Sequence, residues 1–192
     1  MGFHHVALAT RDADATVAFY TGPMGFELAK VVVAPTPGHT GWARHFFFAT
    51  EEPGPDGADR GMIAFWELHD EAIGDAYKAD LSRSLGLPSW VNHLAFDAPT
   101  LDDLEAKRDR WRRHGITVAQ VDHDFCTSIY ATDPNRIMVE FCTTTRAFTA
   151  DERAAAPRLM AEAAPALDPE PPVTIWEPLP AEAATATSSA TR

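Results

Sequence analysis

Residues 121–141, VDHDFCTSIYATDPNRIMVEF, bring His123, Tyr130 and Glu140 onto one stretch that reads as two short strands joined by a tight turn. An imidazole, a phenol and a carboxylate can between them hold a metal, store a proton or donate one to a bound oxygen. Asp133-Pro134-Asn135 forms the turn, because Pro fixes its own φ and Asn tolerates left-handed backbone. Side chains alternate along a strand, so Cys126, Ser128 and Tyr130 share one face, and Met138, Glu140 and Cys142 share a face of the next. A three-residue loop pairs 132 with 136, 130 with 138 and 128 with 140, which points Tyr130 and Glu140 to the same side. A carboxylate among Ile137, Met138, Val139 and Phe141 needs a partner, since an unpaired buried charge is very costly. A metal ion is one such partner and an arginine another.

The elements that must position these groups repeat. Residues 2–9 read as a strand, Asp12 caps a short helix that Gly22-Pro23 and Gly25 end, and strands follow over 26–33, 42–49 and 62–68. The polar, turn-rich stretch 51–61 lengthens the last of these hairpins. A connector over 69–89, with a helix around 70–85, closes at Gly86 and Pro88. The order then starts again: a strand over 90–97, a helix capped by Thr100 and closed by Gly115, a strand over 116–121, and the hairpin. The expected fold is α+β: two βαβββ modules, 2–68 and 90–143, forming a shared curved mixed sheet around a metal site within a domain spanning 1–148. Residues 149–192 form an Ala/Pro-rich tail. It has a short helix, an apolar patch at Val173–Trp176 that wraps the domain or a partner, and disorder over 181–192.

The repeat aligns His5-Val6-Ala7-Leu8 with His93-Leu94-Ala95-Phe96, and Phe65-Trp66-Glu67-Leu68 with Met138-Val139-Glu140-Phe141. Each module then carries a His on its first strand and a Glu on its last. Paired modules bury their open faces on each other, which would gather His5, His93, Glu140 and, as a fourth ligand, Glu67. Two imidazoles with one or two carboxylates suit Fe(II), Mn, Ni, Co or Zn. Two His and one carboxylate leave positions open for substrate and oxygen, whereas four protein ligands suit a Lewis acid. His4 faces away from His5, and the repeat selects His5. His39, His69 and His114 read as structural. So does His45, unless it lines the pocket from the strand face it shares with Phe47. Tyr130 and His123 are the groups placed to assist a substrate oxygen.

Composition narrows the partners. The 192 residues carry a formal net charge of −12 without a basic block, which argues against nucleic acid and anionic membrane. No run approaches the roughly 20 apolar residues a membrane span needs. The N-terminus lacks a signal-peptide pattern, so the expected location is cytoplasmic. Cys126 and Cys142 are the two cysteines; their nearness would permit a disulfide, and a reducing compartment favours core thiols. Aromatic strand residues suit an aromatic small-molecule substrate.

These residues resemble the vicinal oxygen chelate superfamily, which includes glyoxalase I, type I extradiol dioxygenases, antibiotic-resistance proteins and methylmalonyl-CoA epimerase. The resemblance rests on the paired modules, HHVAL with FYTGPMGFEL, and HLAF with DPNRIMVEF, over about residues 2–143. His123, Ile129-Tyr130, Asp133-Pro134 and Glu140 are similar to the extradiol dioxygenase signature, with Arg136 standing where Gly is usual and Asn135 expected to take the left-handed turn position. The resemblance implies Fe(II) held by His5, His93 and Glu140, with Tyr130 and His123 assisting a catechol-like diol and O₂ in aromatic catabolism. Glu67 stands where those enzymes carry an acid–base His and where glyoxalase I carries a metal-binding Glu. That implies, as an alternative, a lyase or isomerase using Zn, Ni, Co or Mn. A metal-free binder of the bleomycin-resistance type is the third implication. The modules close within one chain or exchange across a homodimer.

Overall fold

The computed structural model describes residues 3–55, 57 and 61–180; the disorder expected over 181–192 lies outside the described residues. The chain divides into two compact units, Met1–Leu94 with Thr132–Val139, and Ala95–Ala131 with Glu140–Arg192. Among the described residues the strands form a four-stranded and a five-stranded sheet, and with three helices they make an α+β fold.

In the first unit the elements are β1 (His5–Thr10), α1 (Ala13–Thr21), β2 (Glu27–Pro35), β3 (Gly41–Ala49) and β4 (Met62–Asp70). The sheet order is β1-β4-β3-β2, with β1 parallel to β4 and the other pairs antiparallel. Asp12 caps α1, accepting from the Ala15 amide at 2.9 Å, as its short carboxylate at a non-helical position allows. The helix lies on one face of the sheet through Tyr20, which is fully buried with its ring 5.3 Å from Phe48 and 4.9 Å from Phe65.

The ladder sorts the side chains. Phe46 pairs with Phe65, and Arg44 with Glu67, on the helix-bearing face. His45 pairs with Trp66, and Phe47 with Ala64, on the other; Ala7 is level with Ala64 there, and His5 lies two residues before it. A strand alternates strictly, so a one-residue step changes face.

The segment Thr132–Val139 is also part of this unit, and its turn is buried among the first unit's polar side chains. Asp133 accepts from the Tyr20 hydroxyl at 3.2 Å and from the Ile137 amide at 2.8 Å. Asn135 accepts from Thr10 at 2.8 Å and donates to Thr16 at 3.2 Å. The connector holds no long helix, only a single 3-10 turn at Arg83–Leu85. Asp70 draws the Ala72 and Ile73 amides into a local turn, and Gly74 has φ 64°, so the start of the expected helix is spent on side-chain caps.

The second sheet has the order β5-β8-β7-β6-β9, built from β5 (His93–Asp97), β6 (Val118–Asp122), β7 (Cys126–Thr132), β8 (Met138–Thr144) and β9 (Val173–Trp176). α2 (Leu101–Arg113), capped by Thr100, packs Trp111 5.3 Å from Phe141. α3 (Ala150–Ala161) opens with a capping box of Thr149 and Glu152.

The hairpin register differs from the expected one by two residues. The Asp133 carbonyl accepts from Arg136, and the Asp133 amide donates to Ile137, both at 2.9 Å. Asp133 thus faces both Arg136 and Ile137, a bulge whose extra residue must be left-handed. That residue is Arg136, at φ 66°, and not Asn135. The shift places Tyr130 across from Glu140 instead of Met138. Because two is the strand period, both still point the same way.

The tail's apolar patch is a strand. β9 pairs antiparallel with β6, Val118 with Trp176 and Val121 with Val173. The Trp176 indole donates to Gln120 at 3.1 Å, and the Arg108 guanidinium lies 4.1 Å over its ring.

Candidate functional site

In the first unit the chemistry gathers on the sheet face away from α1. His5 opens that face, and its Nδ1 lies 2.9 Å from Nδ1 of His4, so one proton is shared between the two rings. The His45 ring centroid is 6.1 Å from that of His5, and the Phe47 ring 5.4 Å. His45 in turn stacks on Trp66 at 3.8 Å and 11°. The Nε2 of His45 is shielded from water and has no hydrogen-bond partner among the described residues. Burial, and then the neighbouring His5, hold His45 below the usual imidazole range, so it is neutral at pH 7.

Beyond Trp66 the same face opens into an apolar cavity of about 580 Å³, lined by Ala34, Pro35, Ala43, Leu68 and Ile73 with Thr36, Thr40 and Asp70 at its edge.

Glu67 is not on this face. It lies on the helix-bearing side, in an ion pair with Arg44 at 3.0 Å and 3.4 Å from His69, which stacks on Trp42 at 4.0 Å. The letter-by-letter alignment of the two last strands is therefore out of phase. Phe65 faces its helix as Phe141 faces α2, so the counterpart of Glu140 is a neighbour of Phe65, namely Ala64 or Trp66. Strand alternation leaves Glu67 turned away from His5 and fixed by Arg44. The arginine that could have partnered a buried carboxylate does so here, at Glu67.

His93 begins β5. Its Nδ1 lies 2.8 Å from the Trp90 carbonyl, which makes Nδ1 the protonated nitrogen and leaves the lone pair on Nε2. This backbone anchor is the one metal-ligating histidines commonly use.

In the second unit His123, Tyr130 and Glu140 form a hydrogen-bonded run. His123 sits in the β6–β7 connection, where its amide donates to the Cys126 carbonyl at 2.8 Å. Its Nε2 is 3.0 Å from the Tyr130 hydroxyl. Burial pushes the Tyr130 phenol up to about 12, against a hydrogen bond from Ser128 that lowers it; the charge and hydrogen bond of Glu140 raise it further. The phenol therefore keeps its proton and donates it to Glu140, while its oxygen accepts from His123 and Ser128. Glu140 itself is 5% exposed. The adjacent Cys126 and Cys142 are free thiols, and burial followed by Cys142 pushes Cys126 up to about 11.

Among the described residues no group of three or more His, Cys, Asp or Glu side chains comes together that could hold a metal ion. Taken singly, the residues offer donor types suited to a first-row divalent metal: imidazoles at His5 and His93, and a buried carboxylate at Glu140 hydrogen-bonded to a phenol. The sequence reads His45 as structural or pocket-lining, on the strand face it shares with Phe47, and the structure puts it on that face beside His5.

Two βαβββ modules with these residues define a class, and sequence comparison agrees. The profile of the Glyoxalase/Bleomycin resistance protein/Dioxygenase superfamily matches residues 2–141. The chain belongs to this superfamily. Two biphenyl-2,3-diol 1,2-dioxygenases, from Metapseudomonas furukawaii and Paraburkholderia xenovorans, are each 24% identical over 143 residues, 73% of this chain. The chain spans about two fifths of their length (39% and 40%). Among solved structures, a glyoxylase/bleomycin resistance protein/dioxygenase domain from Frankia sp. is 20% identical with a TM-score of 0.52, covering 75% of this chain and 98% of that one. A Bacillus subtilis structure is 17% identical with a TM-score of 0.56, covering 74% and 40%. These structures share the fold.

Proposed function

We propose that the protein is an Fe(II)-dependent extradiol dioxygenase that opens a catechol-like ring beside its diol. The observation that carries this reading is the hydrogen-bonded run His123–Tyr130–Glu140. A non-oxidative lyase has no need of a phenol and an imidazole aligned behind its carboxylate ligand. The relatives named as biphenyl-2,3-diol dioxygenases support the substrate class.

His5, His93 and Glu140 would hold the iron. Bound there, Fe(II) would supply open coordination positions for a diol and O₂. The protein supplies the rest. The Tyr130 phenol stays protonated through the physiological range and can pass its hydrogen bond from Glu140 to a substrate oxygen. His123 Nε2 holds a proton against the Tyr130 oxygen and can replace the one donated. The open apolar groove beside Trp66 suits the unreactive part of an aromatic substrate.

The test is anaerobic reconstitution with Fe(II), followed by O₂ uptake with 2,3-dihydroxybiphenyl and simpler catechols. O₂ consumed in step with diol, with a coloured ring-opened product, is expected. Near-stoichiometric iron without uptake on any catechol overturns the reading. Purification with Zn, Ni, Co or Mn, and no uptake after iron exchange, moves the protein to the lyase and isomerase branch.

A further inference from the structure

We propose that Arg146 is a positioning residue that holds the His123 loop against Tyr130 and ties that loop to α3. This rests on the roles given above to His123 and Tyr130 and deepens them. All the residues involved lie in the second unit. His123 sits in the short connection between β6 and β7, and its ring has to stay aimed at the Tyr130 hydroxyl 3.0 Å away. The next residue, Asp124, has φ 69°. Left-handed backbone at a non-glycine residue is unfavourable and persists where the surroundings hold it.

Arg146 supplies that hold. Its guanidinium donates to Oδ2 of Asp124 from Nε, at 3.0 Å, and from Nη2. The same fork donates to Glu152, from Nη1 to Oε2 at 3.0 Å and from Nη2 to Oε1 at 2.7 Å. A planar guanidinium bridging two carboxylates fixes direction as a single ammonium does not. Glu152 is itself anchored, since its Oε2 accepts from the Thr149 amide at 2.6 Å in the capping box of α3. Hydrogen bonds from Arg146, and then from the Thr149 amide, hold the Glu152 carboxyl down to about 2. The residue before Arg146 grips the same loop: the Thr145 amide donates to the Phe125 carbonyl at 2.9 Å, and its hydroxyl to the Asp124 carbonyl at 2.7 Å. The Phe125 ring packs 5.1 Å from Phe148. A lone exposed ion pair contributes little stability. Here one guanidinium joins a strained loop carrying His123 to a helix start, so what it fixes is geometry. Arg146 and Glu152 lie past residue 141, where the superfamily profile ends, so the segment after the repeat takes part in the site.

The experiment compares the full-length, metal-free proteins by NMR, with the His and Tyr rings isotopically labelled. The wild type is expected to show a cross-peak between the His123 and Tyr130 rings, and Arg146→Gln to weaken it severalfold. A cross-peak of unchanged strength in Arg146→Gln overturns the proposal. No metal and no turnover enter this comparison, so it decides the role of Arg146 even where the dioxygenase reading fails. In the iron-loaded protein with a catechol, Arg146→Gln is expected to lower kcat about tenfold with KM little changed. In a protein already carrying His123→Ala it is expected to cause no further loss. Equal losses in the two backgrounds overturn the proposal, because Arg146 would then not act through His123. Should Arg146→Gln fail to fold, Asp124→Asn and Glu152→Gln cut the same contacts one side at a time, and the same outcomes decide.

Discussion

The Tyr130 hydroxyl lies 3.0 Å from Nε2 of His123, and the same phenol donates to Glu140. Three residues spread over β8, β7 and the loop before it thus share one line of protons. The negative charge of Glu140 helps hold the phenol near 12. Removing it takes away two of the raising causes, so Glu140→Gln should lower the Tyr130 transition. The chain has three tyrosines, so the signal is the ultraviolet difference between each protein and its Tyr130→Phe counterpart. A transition that stays put or rises would break the coupling. Tyr130→Phe and His123→Ala should each lower turnover on a catechol by about 10²-fold or more.

Much of this was legible in the chain. Asp12 and Thr100 announce their helices because a short oxygen side chain ahead of an apolar run has one obvious use. The match of HVAL with HLAF, identical at two of four positions, marks His5 and His93 as the first residues of β1 and β5. Glu67 was misplaced because strand phase is decided by which residue meets the helix, and Phe65, Trp66 and Leu68 could each have done so. The bulge at Arg136 hid behind a residue that seldom takes positive φ. β9 is four residues long and sits among prolines, and what makes it a strand is the free edge of β6.

Arg136 bears the left-handed conformation at φ 66° with an exposed side chain. A non-glycine residue there is strained by about 1 kcal/mol. Arg136→Gly should raise the unfolding free energy by about that amount in urea titration. A loss instead would mean that the arginine makes compensating contacts.

Tyr20 donates to Asp133 across 113 positions of sequence, and both are buried. Tyr20→Phe leaves the carboxylate short of a donor and should destabilise by about 1–3 kcal/mol. Burial raises Asp133 above its ordinary 3.8 despite several hydrogen bonds. The folded protein then binds this proton more tightly than the unfolded chain. Stability from this group is full below 3.8 and falls as pH rises through the raised value. Urea midpoints of Asp133→Asn should therefore gain on the wild type as pH climbs from just below 4 toward neutrality. Parallel curves would show that Asp133 titrates normally.

β9 covers the outer edge of β6. Deleting residues 172–192 bares the amides and carbonyls of β6 beside Val118, Ala119 and Val121, a template for pairing with another chain. The truncated protein should elute larger in light-scattering chromatography and melt earlier. A monomer of unchanged melting temperature would show the strand to be dispensable.

The chain leaves its first unit after Leu94, returns at Thr132, and leaves again after Val139. A single cleavage in the connector therefore leaves an amino-terminal fragment that lacks the Asp133 and Asn135 buried in its unit. A gene encoding one module alone would specify an incomplete core. The first copy of the repeat therefore borrows its interior from the second, and could be transplanted only together with that segment.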